Sequence, residues 1–137
     1  MNLVQRTIHR LVKECRTSNP YRIAEHLNIA IRYADTSDAF NGVYIPVDGK
    51  KLIILNVELR HDPKGAFVLA HELYHAINHA EMAYFYHKGH NAKGKHEREA
   101  NEFATYLLLV GKSIYEGQTA FDILRENYIP YEMEEYL

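Results

Sequence analysis

Cysteine is nearly missing from this chain. Cys15 is the only one among 137 residues, so no internal disulfide can form. It falls at a core position of a helical pattern and reads as a small buried hydrophobe. Charge of one sign is not in excess: 16 Lys and Arg against 18 Asp and Glu leave a net charge of -2 and a pI near 6.5. That supplies no basic footprint for direct nucleic-acid binding. No apolar run is long enough to span a bilayer, and the opening MNLVQRTIHRLVKECR lacks the uninterrupted apolar stretch of a signal peptide. No membrane partner and a cytoplasmic location are expected. Tryptophan is absent, and the 11 tyrosines are scattered along the chain, which gives them no common surface. There is no internal repeat, low-complexity tract or long linker, so one folded domain over 1–137 is expected.

What the chain does have is 47% hydrophobic and 25% charged residues, the balance of a folded protein with a sizeable core. It also has nine histidines, five of which lie between His71 and His90. The order of elements is α+β. Leu3, Val4, Ile8, Leu11, Val12 and Cys15 recur at helical spacing and predict a helix ending near Ser18-Asn19-Pro20. A short helix over about 21–27 leads into the strand IAIRYA. GVYIP and KLIILN are two more strands, joined through Val47-Asp48-Gly49-Lys50, where Asp-Gly suits a hairpin turn. Asp62-Pro63 pairs a capping residue with a proline at the first helical position. The helix it opens is expected to reach about Ala80. A polar loop, a helix from Lys95 to about Val110 stopping at Gly111, a helix over about 118–127 and a last turn after Pro130 complete the chain. The expected fold is a small sheet of about three strands packed on two long helices, with a short helical tail.

The chemistry concentrates on the two long helices. His71-Glu72-Leu73-Tyr74-His75 matches H-E-x-x-H. Residues four apart on a helix differ by about 40° around its axis, so both imidazoles reach one point in space. Two neutral imidazoles suit Zn²⁺, and a catalytic zinc takes three protein ligands and a water. Glu72 lies about 100° round from His71, off the metal axis but beside it, where a carboxylate can serve as general base. From the chain's own His and Glu frequencies a chance match has a probability of roughly 5%. The competing reading is a surface helix with two solvated histidines. Ala66, Phe67, Val68, Leu69, Ala70, Leu73, Ala76 and Ile77 make this helix apolar nearly all round, which favours burial and therefore a site.

A third ligand has three candidates in His96-Glu97-Arg98-Glu99-Ala100-Asn101-Glu102-Phe103-Ala104. With Glu97 at zero, Asn101 lies at about +40°, Leu108 at about +20°, Ala104 at about −20° and Ala100 at about −60°. Glu97 therefore sits in the apolar arc, whereas Glu99 and Glu102 fall at about 200° and 140°, on the wet side. A lone carboxylate on a packing face needs a partner, and a zinc held by the neighbouring helix supplies one. Asn101, on the same face, is placed to accept the second ring N–H of a ligating histidine. The competing reading of Glu97 is a surface pair with Arg98 or Lys93.

AHELYHAINH followed by HEREANEFATYLLL resembles the ImmA/IrrE family of metallo-endopeptidases, whose pattern is A-H-E-L-x-H and then E-x-E-A-N-x-F-A with two leucines soon after. NGVYI and KLIILN resemble that family's strand pair ahead of the active-site helix, so the likeness covers roughly residues 41–109. It implies one zinc held by His71, His75 and Glu97 in a gluzincin-like set, with Glu72 as catalytic base. It further implies a protein substrate, a helix-turn-helix repressor of a phage or integrative element, cleaved site-specifically to release the genes it silences. Two positions depart from the pattern: Tyr74 stands where glycine is usual, and Val110-Gly111 where methionine-proline often follows.

His79, one turn beyond His75, suits a role behind the ligands rather than on the metal. His87, His90 and His96, with Tyr84 and Tyr86, read as a solvated loop from which one side chain could stabilise an oxyanion. The KLIILN strand is a candidate to pair with an extended substrate. Two other functions compete: a metal-stabilised module that antagonises a repressor by binding it, and a metal-dependent hydrolase of small amides. An intact Glu72 speaks against the first, since a purely structural zinc has no use for a base beside it.

Overall fold

The computed structural model describes the chain apart from Asp38, Met82 and residues 87–93, with the main chain alone described at 84–86. Helix α1 (Leu3–Cys15) opens on a reciprocal cap: Asn2 accepts from the Gln5 amide, and the Gln5 side chain accepts from the Asn2 amide. Its buried stripe includes Val4, Leu11 and Cys15. Asn19 caps α2 (Pro20–His26), with Pro20 at the first helical position.

Three strands follow where the sequence indicates them: β1 (Ala30–Ala34), β2 (Gly42–Val47) and β3 (Lys50–Asn56). The β2–β3 turn places Asp48 and Gly49 at φ of 47° and 76°, the left-handed pair that a two-residue hairpin needs. A fourth strand, β4 (Tyr84–Tyr86), extends the sheet in a segment expected to be loop; three residues are too few to show alternation. The order is β1-β3-β2-β4, with β1 parallel to β3 and the other pairs antiparallel. This order overturns KLIILN as a strand for pairing substrate. β3 lies inside the sheet, with one edge bonded to β1 and the other to β2. Its unbroken apolar run is the composition of an interior strand.

Helix α3 spans Gly65–Asn78, starting two residues after Pro63 and stopping two before Ala80. The Asp62 side chain is not its cap. It accepts from the Lys64 amide at 2.9 Å while the Asp62 carbonyl accepts from Gly65, which closes a separate turn ahead of the helix. Eleven of the 14 residues of α3 are buried, as an all-round apolar helix requires. On one side lie Tyr44, Ile53 and Leu55 of the sheet, and on the other Phe103, Ala104 and Leu107 of α4 (Lys95–Leu109). The tail forms α5 (Ala120–Glu126), capped reciprocally by Thr119 and Asp122, and a closing 3₁₀ segment, Tyr131–Tyr136. Among the described residues no helix is long and apolar enough to cross a membrane.

Candidate metal centre

Helices α3 and α4 run antiparallel, because His71 meets Asn101 while His75 meets Glu97. Ala100 and Ala104 are fully buried and present no bulk to hold the helices apart. The Glu97 carboxylate enters between the two imidazoles: Oε2 is 3.1 Å from His71 Nε2, and Oε1 is 2.8 Å from His75 Nε2. Both histidines are wholly buried and Glu97 is 16% exposed. One ligand atom from each of the three lies within 4.8 Å of the others. Glu97 is thus turned inward to the histidines rather than outward to Arg98; Lys93 lies outside the described residues.

The far side of each ring decides what its inner side offers. Asn101 Oδ1 accepts from His71 Nδ1–H at 2.8 Å, which leaves the lone pair on Nε2. Behind His75, Nδ1 is 2.9 Å from His79 Nδ1; with the His75 ring donating, its Nε2 also keeps a lone pair. Two nitrogen lone pairs then face two carboxylate oxygens, an arrangement that repels itself unless a cation stands among them. A proton is poorly suited to that place, since burial foremost lowers His75 to about 4. Were Nε2 of either ring protonated instead, its hydrogen bond and charge would outweigh the burial of Glu97 and hold that carboxyl well below its usual range. The donor set fits a divalent metal with a taste for imidazole and carboxylate.

Glu72 stands apart from this trio. It is wholly buried, and among the described residues no side chain hydrogen-bonds its carboxylate. Burial, then the charge of Glu97, push its carboxyl well above the ordinary range, offset in part by a main-chain hydrogen bond from Tyr44. Gly42 of β2 lies directly against it. A Cβ built there would fall 2.7 Å from Val68 Cγ1 and 3.4 Å from Glu72 Cγ, so only glycine lets β2 approach this face of α3 so closely.

Three contacts around the site escape a reading of the sequence. Glu99, expected on the wet side, is partly buried and accepts from the Tyr74 hydroxyl at 2.9 Å. Tyr74, at the position where glycine was expected, is fully buried and also packs on Phe103 with ring centroids 5.1 Å apart. His96 is in the first turn of α4 rather than in the loop, and its ring stacks on His79 at 3.7 Å. No local pattern announces contacts between residues so far apart in the chain; only the pairing of the helices brings these side chains together. His87 and His90 lie outside the described residues, as do the side chains of Tyr84 and Tyr86.

Residues 24–120 match a peptidase family described as the IrrE N-terminal-like domain. The chain is also 34% identical over 109 residues to "Uncharacterized immunity region protein 2" of Bacillus phage phi105, covering 78% of this chain and 68% of the phage protein. The matched span holds the sheet, α3 and α4, and with them all four residues His71, Glu72, His75 and Glu97. On that match and on the likeness to the phage protein, this chain belongs to the IrrE N-terminal-like domain family of peptidases.

Proposed function

We propose that the protein is a cytoplasmic zinc-dependent endopeptidase, 1–137 acting as one catalytic domain, and that it cleaves a helix-turn-helix repressor. The observation that carries the reading is a wholly buried carboxylate that no described side chain pairs, Glu72, beside a convergent His71–His75–Glu97 donor set. A purely structural metal needs the trio and gains nothing from Glu72. The immunity-region name of the phage relative supports a repressor as substrate.

In this reading His71, His75 and Glu97 hold one Zn²⁺, which when bound supplies Lewis acidity toward water and a peptide carbonyl. Asn101 and His79 keep the two rings turned to the site by bonding their outer nitrogens. A dication among the donors would favour the charged form of Glu72 over the protonated form that burial imposes. The Glu72 carboxylate takes a proton from the attacking water and returns it to the amide nitrogen as the peptide bond breaks. Its burial keeps bulk water from competing for that proton.

The test is co-expression with a candidate helix-turn-helix repressor, sought first among the genes neighbouring its own. Wild type should yield two discrete fragments of that protein, and Glu72→Gln should leave it intact, the rate falling by a factor on the order of 10² or more. If Glu72→Gln still relieves repression without fragments, the protein acts by binding and the peptidase reading is lost.

A further inference from the structure

The stripe of α3 that carries His71, Glu72 and His75 does not stop at the site. Lys64, Phe67 and Val68 lie within about 100° of the same helical face, one and two turns earlier. They enter a cleft of about 500 Å³ between the start of α3, Asn41 and the tail around Tyr128 and Ile129. Its floor is apolar and sits deep: Phe67, Val68 and Ile129 are 1%, 5% and 4% exposed. Its rim carries two cations, Lys64 and Arg125, and among the described residues no acidic side chain lines it. Beside it Phe121 and Tyr131, each 51% exposed, meet edge to face at 5.7 Å, and the Arg125 guanidinium lies 5.5 Å over the Phe121 ring. Isolated apolar side chains on a surface need no explanation, but an apolar cleft rimmed by charge of one sign and flanked by aromatics does.

The cleft also connects to the proposed base. Val68 is four residues, about 6 Å of helical rise, before Glu72. Gly42, next to the cleft residue Asn41, is buried where β2 packs closest to Val68 and Glu72.

We propose that this cleft is the specificity subsite of the peptidase: it takes a bulky apolar side chain of the substrate, whose neighbouring carboxylate meets Lys64 and Arg125. The proposal rests on the peptidase reading and adds to it the chemistry of the sequence selected. The apolar floor excludes polar side chains through desolvation, and the cationic rim rejects basic flanks. Asp122, 3.8 Å from Arg125, is its nearest competitor and lies on an exposed surface pair that a substrate carboxylate can exchange with.

The experiment uses ¹⁵N-labelled, zinc-supplied Glu72→Gln protein, which cannot consume its ligand. It is titrated with the blocked pentapeptide Ala-Asp-Phe-Asp-Ala and with versions carrying Lys for Asp or Ala for Phe. The aspartate peptide should shift the amides of Val68, Arg125 and Tyr128, and the alanine version should not. Arg125→Glu should weaken the aspartate peptide by roughly three- to tenfold, the loss of an exposed pair turned repulsive. It should also bind the lysine peptide better than the parent does, a gain that no loss of folding can imitate. Equal binding of all three peptides, or an unchanged preference in Arg125→Glu, overturns the proposal. Zinc content measured on the same samples separates the two ideas. Cleft shifts without retained zinc remove the peptidase reading, whereas retained zinc without cleft shifts at millimolar peptide removes this one.

Discussion

Asn101 Oδ1 accepts from His71 Nδ1–H across the α3–α4 interface at 2.8 Å, both side chains almost wholly buried. The bond fixes which nitrogen of His71 carries the proton and points the other at Glu97 and His75. Asn101→Ala should therefore leave the fold in place but weaken zinc binding by about 10- to 100-fold. Asn101→Asp, which keeps an acceptor, should recover most of it. Competition against a chromophoric chelator measures both, and an Asn101→Ala affinity equal to wild type would show the bond to be incidental.

Removing a member of the donor set should be more severe. His71→Ala, His75→Ala and Glu97→Ala should each lose the one zinc expected per chain, because two remaining ligands hold zinc weakly. Glu99→Ala is the control with a twist: full zinc content, but stability lower by about 1 kcal/mol because the Tyr74 hydroxyl loses its buried acceptor. Metal analysis and a denaturant midpoint read the two effects separately. Zinc lost from Glu99→Ala instead of Glu97→Ala would refute the ligand assignment.

Glu72 gives the protein a pH signature when metal is stripped by a chelator. Its folded-state carboxyl is raised well above the ordinary 4.5 by burial. The folded state is accordingly favoured most below about pH 4.5. Above that the unfolded chain ionises while the buried group keeps its proton, so stability falls as pH rises toward the folded-state value. Glu72→Gln abolishes this slope. At pH 8 the metal-free variant should be more stable than metal-free wild type, by an amount on the order of 1–3 kcal/mol. The gap should narrow toward pH 5 and shrink again on adding zinc. Parallel melting curves for the two proteins across this range would contradict the assignment of Glu72 as an acid kept protonated by burial.

Gly42→Ala tests the contact between strand and helix. The new methyl would meet Val68 Cγ1 at 2.7 Å, so α3 or β2 must shift, at about 1–3 kcal/mol. Because the displaced helix face carries Glu72, peptide cleavage should fall by more than zinc affinity does. Unchanged stability would mean that Val68 can turn away freely.

The sequence shows the α3 stripe plainly because a period of 3.6 sorts His71, Glu72 and His75 from their neighbours. The same arithmetic turns Glu97 and Asn101 toward the core, which is where the structure has them. It fails for Glu99, since an angle on one helix says nothing of a long side chain such as Tyr74 reaching over from the next. Asp62-Pro63 shows a related limit: the pair marks a turn, and whether that turn is the helix or its antechamber depends on tertiary packing. The order of strands was also hidden, because the β1–β3 pairing is parallel and long-range, with no turn motif to announce it. The C-terminal wall of the cleft joins residues some sixty positions apart, beyond any local pattern.

Two of the bonds between α3 and α4, Tyr74 to Glu99 and His71 to Asn101, act as a keyway. Sliding α4 by a single residue would move it about 1.5 Å and turn it about 100°, which breaks both and swings Glu97 away from the histidines. Insertions or deletions between Glu97 and Asn101 should thus be intolerable, whereas the number of residues joining the two helices does not enter this alignment. Natural variation in length would collect outside the stretch from Glu97 to Asn101 and leave the phase of this helix untouched.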